Sequence, residues 1–295
     1  MKITLTGSLG NVSKPLASQL IAQGHGVTVI SNNPEKRKEI EALGAIAAIG
    51  SVEDPDFLKS AFAGSDAAYL MVPSNYAAPD ARAHYQNVGH SYARAIEQAG
   101  VKRIVHLSSW GAHLEQGTGF IGGSHDVEVI LNKLSGIEIT HLRPGSFFYN
   151  LYSFADMIKQ VGFIGSNYGD DDKVVMAAPA DIADAAAEEL INTAGSNKVR
   201  YIASEDITAT EAARILGKAI GKPELKWVTL TDEQTMEGLQ KTGMSEHVAK
   251  MLVELGAAIH SGIMREDYDL HPPLRMGKIK LADFAKEFAA AFNAK

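Results

Sequence analysis

The sequence contains no cysteine in 295 residues. Disulfides, thiolate nucleophiles and thiol redox sensing are excluded, and the absence suits a reducing compartment. No apolar run approaches the roughly 18 residues of a membrane span. The apolar N-terminal stretch is cut by Gly7 and Gly10, too early for a signal peptide. A cytoplasmic protein with no membrane partner is expected. Basic runs are also missing. Lys and Arg number 28 against 35 Asp and Glu, a net charge of −7, so no nucleic-acid groove is expected. The chain lacks a G-x-S-x-G elbow, a phosphate loop ending in G-K-S/T and an H-E-x-x-H helix. Its ten histidines are scattered without metal-ligand spacing, so no metal site is assigned. None of the nine tyrosines has a lysine four positions later. The Tyr-x-x-x-Lys pair, in which lysine lowers the tyrosine pKa for proton transfer, is therefore absent.

Apolar residues make up 45% of the chain, enough for a sizeable core. The first half alternates short apolar runs with amphipathic stretches. "KITLTG", "VTVI", "AIAAIG", "DAAYLMVP", "VKRIVHLSS" and "GIEITHLRPG" read as strands. Helices are predicted between them, including a long one over about 80–99 with Ala81, Tyr85, Val88, Tyr92 and Ile96 in its stripe, and one around 127–134. Strands separated by helices predict an α/β fold, a doubly wound parallel sheet of the Rossmann type. "DIADAAAEELIN" and "VRYIAS" read as a further helix–strand unit, and helical patterns dominate after Glu211. The expected organisation is a nucleotide-binding core over 1–149 and a substrate or cap region over 150–295, with about 174–203 returning to the sheet. The cap is expected to be small and mainly helical.

Between the first strand and the first helix lies G-x-x-G-x-x-S: Gly7, Gly10 and Ser13. The first glycine allows a tight turn, and the second lets backbone approach a pyrophosphate. The third position, usually glycine, serves helix–strand packing. Serine adds only a hydroxymethyl group, which a slight outward shift of the helix would accommodate. Free N–H groups at the helix start would meet the phosphates. After the second strand come Ser31, Asn32 and Asn33, with no carboxylate to grip a ribose. Lys36, Arg37 and Lys38 follow, and this combination favours NADP, with NAD possible. Asn32-Asn33-Pro34 also reads as a helix cap, and both readings can hold together.

The glycine loop, "NNPEK", "VKRIVHLSS", "HLRPGSFFYNL" and "DIADAAAEEL" together resemble the NmrA-like group of atypical short-chain dehydrogenases/reductases. The resemblance covers most of residues 1–203. It implies an NAD(P)-binding Rossmann fold, and a function either as an NAD(P)H-dependent quinone or dye reductase or as a dinucleotide sensor that binds a protein partner. By resemblance, Gly7, Ser8, Leu9, Gly10, Asn11 and Val12 hold pyrophosphate. Asn32 lies near the adenosine ribose, with Asn33 and Lys36 beside it. Val72 and Pro73 line the cofactor, and Ser108, Ser109, Pro144 and Gly145 approach the nicotinamide. Two positions depart from the family: no arginine stands near Asn32, and Ser51 replaces an aspartate after the third strand. His125 is the candidate catalytic group, to protonate product or hydrogen-bond a carbonyl, or else a helix-start residue. Trp110, Phe148, Tyr149 and Asn150 are candidate substrate contacts, with packing as the alternative for the aromatics. The leading reading is an oxidoreductase passing hydride to a quinone-like or other conjugated acceptor. Such electrophiles need orientation more than a proton relay.

Overall fold

Short apolar runs and period-3.6 patterns alternate along the chain, and so do its elements. The computed structural model describes residues 1–75, 77–192 and 198–294. The first six strands are β1 (Lys2–Leu5), β2 (Gly26–Ser31), β3 (Ile46–Ile49), β4 (Ala67–Leu70), β5 (Arg103–Leu107) and β6 (Glu138–Pro144). Between them run α1 (Ser13–Ala22), α2 (Arg37–Ala42), α3 (Pro55–Phe62), α4 (Ala81–Ala99) and α5 (Ile121–Leu131). Then follow β7 (Ser146–Phe147), α6 (Ala155–Val161), β8 (Ile164–Ser166), β9 (Lys173–Ala177), α7 (Pro179–Ile191), β10 (Lys198–Ile202), β11 (Glu205–Thr208) and α8 (Ala209–Ala219). The chain ends with β12 (Trp227–Thr229), α9 (Asp232–Lys241), α10 (Glu246–His260), α11 (Glu266–Leu270) and α12 (Leu281–Asn293). Among the described residues, no helix is long and apolar enough to cross a membrane.

The chain forms two compact units. The first comprises residues 1–112, 123–143 and 182–200. Its sheet has the order β10-β6-β5-β4-β1-β2-β3, with β1 to β6 parallel. This is the Rossmann-type sheet the sequence predicts. β4 is buried at all four residues, as a parallel strand covered on both faces must be. Val88, Tyr92 and Ile96 of α4 pack with Leu58, Phe62, Ile104 and Ile139 in one core. α5 starts at Ile121, earlier than the predicted 127–134. Gly122 and Gly123 suggest a loop in sequence. Yet a Cβ at Gly123 would lie 2.6 Å from the Tyr85 ring, so this glycine admits α4 rather than ending a helix. Glu189 of α7 is a buried hub. Its side chain accepts from Arg103 (2.9 Å), Lys198 (2.7 Å) and Arg200 (3.0 Å), and its carbonyl accepts from Arg103 as well.

The second unit comprises residues 113–122, 144–181 and 201–295. It is helix-rich as expected, but it also contains a three-stranded sheet, β11-β9-β7, and a two-stranded sheet, β12-β8. Strands of two to five residues are too short to display an alternating pattern. Thr208 and Thr231 open α8 and α9 with capping boxes, and Ser245 caps α10. Asp181 accepts Ser204 Oγ (2.7 Å) and the amides of Lys278 (2.9 Å) and Ile279 (3.2 Å), fastening the segment before α12. A Cβ at Gly277 would overlap that carboxylate.

Candidate functional site

The sheet order of the first unit reverses between β1 and β4, where doubly wound sheets bind ligands at the carboxyl ends of their strands. Thr6 joins the two strand ends there. Its Oγ accepts the Met71 amide at 2.8 Å, and its own amide donates to the Tyr69 carbonyl at 3.0 Å. Tyr92 donates to the Met71 carbonyl at 2.6 Å. Burial pushes its phenol well above the ordinary tyrosine value, so it anchors this edge and supplies no acid. Val72 is buried just beyond, and His84 Nε2 donates to the exposed Pro73 carbonyl at 2.9 Å.

Gly7 has φ +89°, and a Cβ there would lie 2.6 Å from Ser13 Oγ and 2.9 Å from Met71 Cγ. The Gly10 amide returns to the Gly7 carbonyl at 3.1 Å. Ser8 has φ +54°, and its amide and hydroxyl bond to Ile30 O and Ser31 Oγ, tying the loop to β2. Ser13 does not merely fit. It is buried, and its hydroxyl donates to the Thr6 carbonyl at 2.9 Å, so a specific bond serves where glycine would give bare proximity. Lys14 is the first amide of α1 bonded back along the helix, to Gly10 O at 3.0 Å. The amides of Asn11, Val12 and Ser13 precede it, and no side chain caps α1. Gly10 and Asn11 are exposed. A pyrophosphate suits this cradle in its chemistry: its oxygens would take the first-turn amides that no side chain caps.

Beyond β2, the Asn33 side chain accepts the Glu35 amide at 2.9 Å and caps the short turn of helix over Pro34–Lys36. Asn32 is exposed. Lys36 bonds Glu39 at 3.0 Å. Ser51 Oγ accepts the Glu53 amide at 3.1 Å and closes the turn after β3.

Past β5, the Ser108 amide donates to Leu142 O at 2.8 Å and continues the pairing with β6. The Ser108 hydroxyl donates to Glu128 Oε1 at 2.5 Å. The same carboxylate takes Arg143 in two bonds, Nε at 2.9 Å and Nη2 at 2.6 Å. All three residues are buried. Neither Glu128 nor Arg143 stands out in the sequence, because their partners lie 15 and 20 residues apart with no local signature. One turn earlier on α5, His125 Nδ1 donates to Ala112 O at 3.0 Å. His125 is the fifth residue of α5 and not its opening residue. Asp126 beside it accepts Arg82 twice, at 2.6 and 2.7 Å, and Gln86 at 2.8 Å. The Arg82 hydrogen bond leads in holding its carboxyl below the ordinary value. Ser109 Oγ donates to Trp110 O at 3.1 Å. Trp110 is only 3% exposed, so it packs into the protein rather than offering an open ring.

Deeper in β5 and β6, His106 Nδ1 and His141 Nδ1 lie 3.0 Å apart, and His141 Nε2 donates to Asn132 Oδ1 at 3.0 Å. That leaves His141 Nδ1 as acceptor and His106 as donor, an all-neutral pair. Burial lowers both pKa values, His106 farthest, and protonation of His141 would lower that of His106 further.

The remaining expected residues lie in the second unit. The Gly145 amide donates to Ile202 O at 3.0 Å, and a Cβ there would overlap the Val175 carbonyl, so close backbone packing itself demands this glycine after Pro144. Phe148 is buried and stacks on Phe284 at 5.7 Å, the packing alternative. Tyr149 lies 5.2 Å from Phe147 between ring centres, and Asn150 donates to Ser146 Oγ at 3.3 Å.

The model of the NmrA-like family matches residues 1–264. An NAD(P)H azoreductase of Xenophilus azovorans is 26% identical over 296 residues, 99% of each chain. A (4-alkanoyl-5-oxo-2,5-dihydrofuran-3-yl)methyl phosphate reductase of Streptomyces griseus is 28% identical over 222 residues, 75% of this chain and 74% of that one. Among solved structures, an NADPH-dependent quinone oxidoreductase of Escherichia coli, complexed with NADPH, superimposes with a TM-score of 0.81 at 25% identity, covering 97% and 99% of the two chains. A triphenylmethane reductase of Citrobacter sp. with NADP(H) shares the fold, with a TM-score of 0.79 at 21% identity over 98% of this chain and 100% of that one.

Proposed function

The chain belongs to the NmrA-like family, and from that membership we propose that it is an NAD(P)H-dependent oxidoreductase, NADPH favoured, reducing a quinone-like or otherwise conjugated small molecule. The observation that carries this reading is the glycine loop at the β1–β4 switch, with the exposed Gly10 and Asn11 and an α1 start that no side chain caps. Likeness across the full length to an azoreductase and to an NADPH-bound quinone oxidoreductase supports it.

When bound, the nicotinamide supplies hydride. The chain's own part is to bind and orient. The loop from Gly7 to Val12 would hold the diphosphate, with the amides of Asn11, Val12 and Ser13 turned to it, and Asn32, with no carboxylate beside it, leaves room for a 2′-phosphate. Val72 and Pro73 flank the cofactor, while Ser108 and Ser109 lie at the β5 exit for the nicotinamide. Because Nδ1 of His125 carries the proton donated to Ala112, the neutral ring meets a ligand with the Nε2 lone pair. Donation from Nε2 needs the imidazolium. His125 therefore serves product protonation only in that form.

The test is oxidation of NADPH and NADH against a panel of quinones and azo compounds, with cofactor binding titrated in parallel. Turnover of a conjugated acceptor, NADPH binding at least as tightly as NADH, is the expected result. Tight binding with no turnover of any acceptor would instead make the protein a dinucleotide sensor.

A further inference from the structure

The protons of the polar side chains around the β5 exit are already committed. Ser108 gives its hydroxyl proton to Glu128, whose carboxylate also takes two bonds from Arg143. Ser109 gives its proton to the Trp110 carbonyl. His125 gives its Nδ1 proton to the Ala112 carbonyl. A carbonyl or carboxylate only accepts, so in each of these three bonds the side chain is the donor. The three residues form one local cluster. The Ala112 amide closes a turn on Ser109 O at 3.1 Å, and His125 and Glu128, three apart on one face of α5, fasten residues 108–112 to that helix. The Trp110 indole N–H has no acceptor, but the atom is buried out of reach.

Resting on the reductase reading above, we infer that this site takes acceptors that carry their own hydrogen-bond donor, a hydroxyl or amino group on the conjugated ring, in preference to bare or alkylated ones. Toward a ligand, Ser109 and neutral His125, both partly exposed, present lone pairs. An acceptor whose only polar atoms are carbonyl oxygens would set lone pair against lone pair and leave both unpaired. A ring hydroxyl or amine beside the electrophilic centre pairs with His125 Nε2 or Ser109 Oγ and fixes the ring's orientation. The overall change balances as NADPH plus acceptor plus one proton from water giving NADP and the two-electron-reduced product. No tyrosine acid is required, because the substrate hydroxyl holds a proton next to the reacting atom.

Redox-inert flat probes test the inference apart from turnover: coumarin, 7-hydroxycoumarin and 7-methoxycoumarin, bound to the full chain alone and with NADP, below the phenol's pKa. Calorimetry should give 7-hydroxycoumarin roughly fivefold tighter binding than either of the others, the size of one net hydrogen bond. The preference should vanish in His125→Phe and shrink in Ser109→Ala, the second variant guarding against misfolding of the first. Equal binding of the three probes, or a preference that survives in both variants, overturns the inference. Absence of turnover with every quinone and azo compound, with the hydroxyl preference intact, rejects the reductase reading and leaves the ligand class standing.

Discussion

Gly7 and Ser13 are chosen together. With Ser13 Oγ fixed on the Thr6 carbonyl, no Cβ fits at position 7, and the φ of +89° asks for glycine independently. Ser13→Ala should lower stability by about 1 kcal/mol, the net value of one hydrogen bond, read as a shifted urea midpoint. Gly10→Val should lower that midpoint modestly, since a Cβ there sits tight against Gly7 O at 3.1 Å, and should abolish NADPH binding in calorimetry while the protein stays folded. Retained affinity would move the phosphate site elsewhere. Asn32→Asp should shift preference toward NADH, because the carboxylate repels a 2′-phosphate and accepts ribose hydroxyls. A wild-type preference for NADH of about tenfold or more, 1.4 kcal/mol, would refute the NADPH assignment. The turn itself is legible in sequence because Gly7, Gly10 and Ser13 answer to one another within six positions. The bond partners of Ser108 are not, since Glu128 reaches it from the next helix.

Helix α5 depends on that carboxylate. Glu128 couples the ends of β5 and β6 to α5, and removing one member of a buried ion pair strands the other. Glu128→Gln should therefore cost about 3–5 kcal/mol, whereas Glu128→Met with Arg143→Met should recover most of the loss. Urea denaturation of the three proteins decides it, and equal stability of the single and double variants would contradict the coupling. At this scale the parallel strands, four to seven residues each, follow from continuous apolar runs, and α4 from its helical period. α5 starts a turn and a half before its apolar pattern shows, because glycine at 123 is a packing residue against Tyr85. The strands of the second unit, two to five residues each, leave no periodic trace.

Taken whole, the molecule buries a neutral histidine pair between its central strands, which makes its stability depend on pH. The pKa values of His106 and His141 lie below the ordinary value, so the unfolded chain takes up protons that the folded one refuses. Their contribution is complete above about pH 6.5, the ordinary histidine value, and is lost as pH falls from there toward the folded values. Urea midpoints should decline from pH 7 to 5, and His106→Leu should flatten that slope; an unchanged slope would show the pair is not the cause. The alternation of strands and helices made the sheet foreseeable, but not the way the chain distributes itself between its units. It passes from one to the other between residues 112 and 113, 122 and 123, 143 and 144, 181 and 182, and 200 and 201. Helix α7 is divided by one of these crossings, and it brings Glu189 to Arg103 and Thr140. No single cut, then, frees either unit intact. A gene fragment ending near residue 149 would encode β6 without the β10 that borders it and without the buried acid that neutralises Arg103. Recombining this protein with a relative along these boundaries would need at least five junctions, two of them inside helices, α5 and α7. Point substitution leaves such a chain intact, where exchange of whole segments would cut its helices and strands.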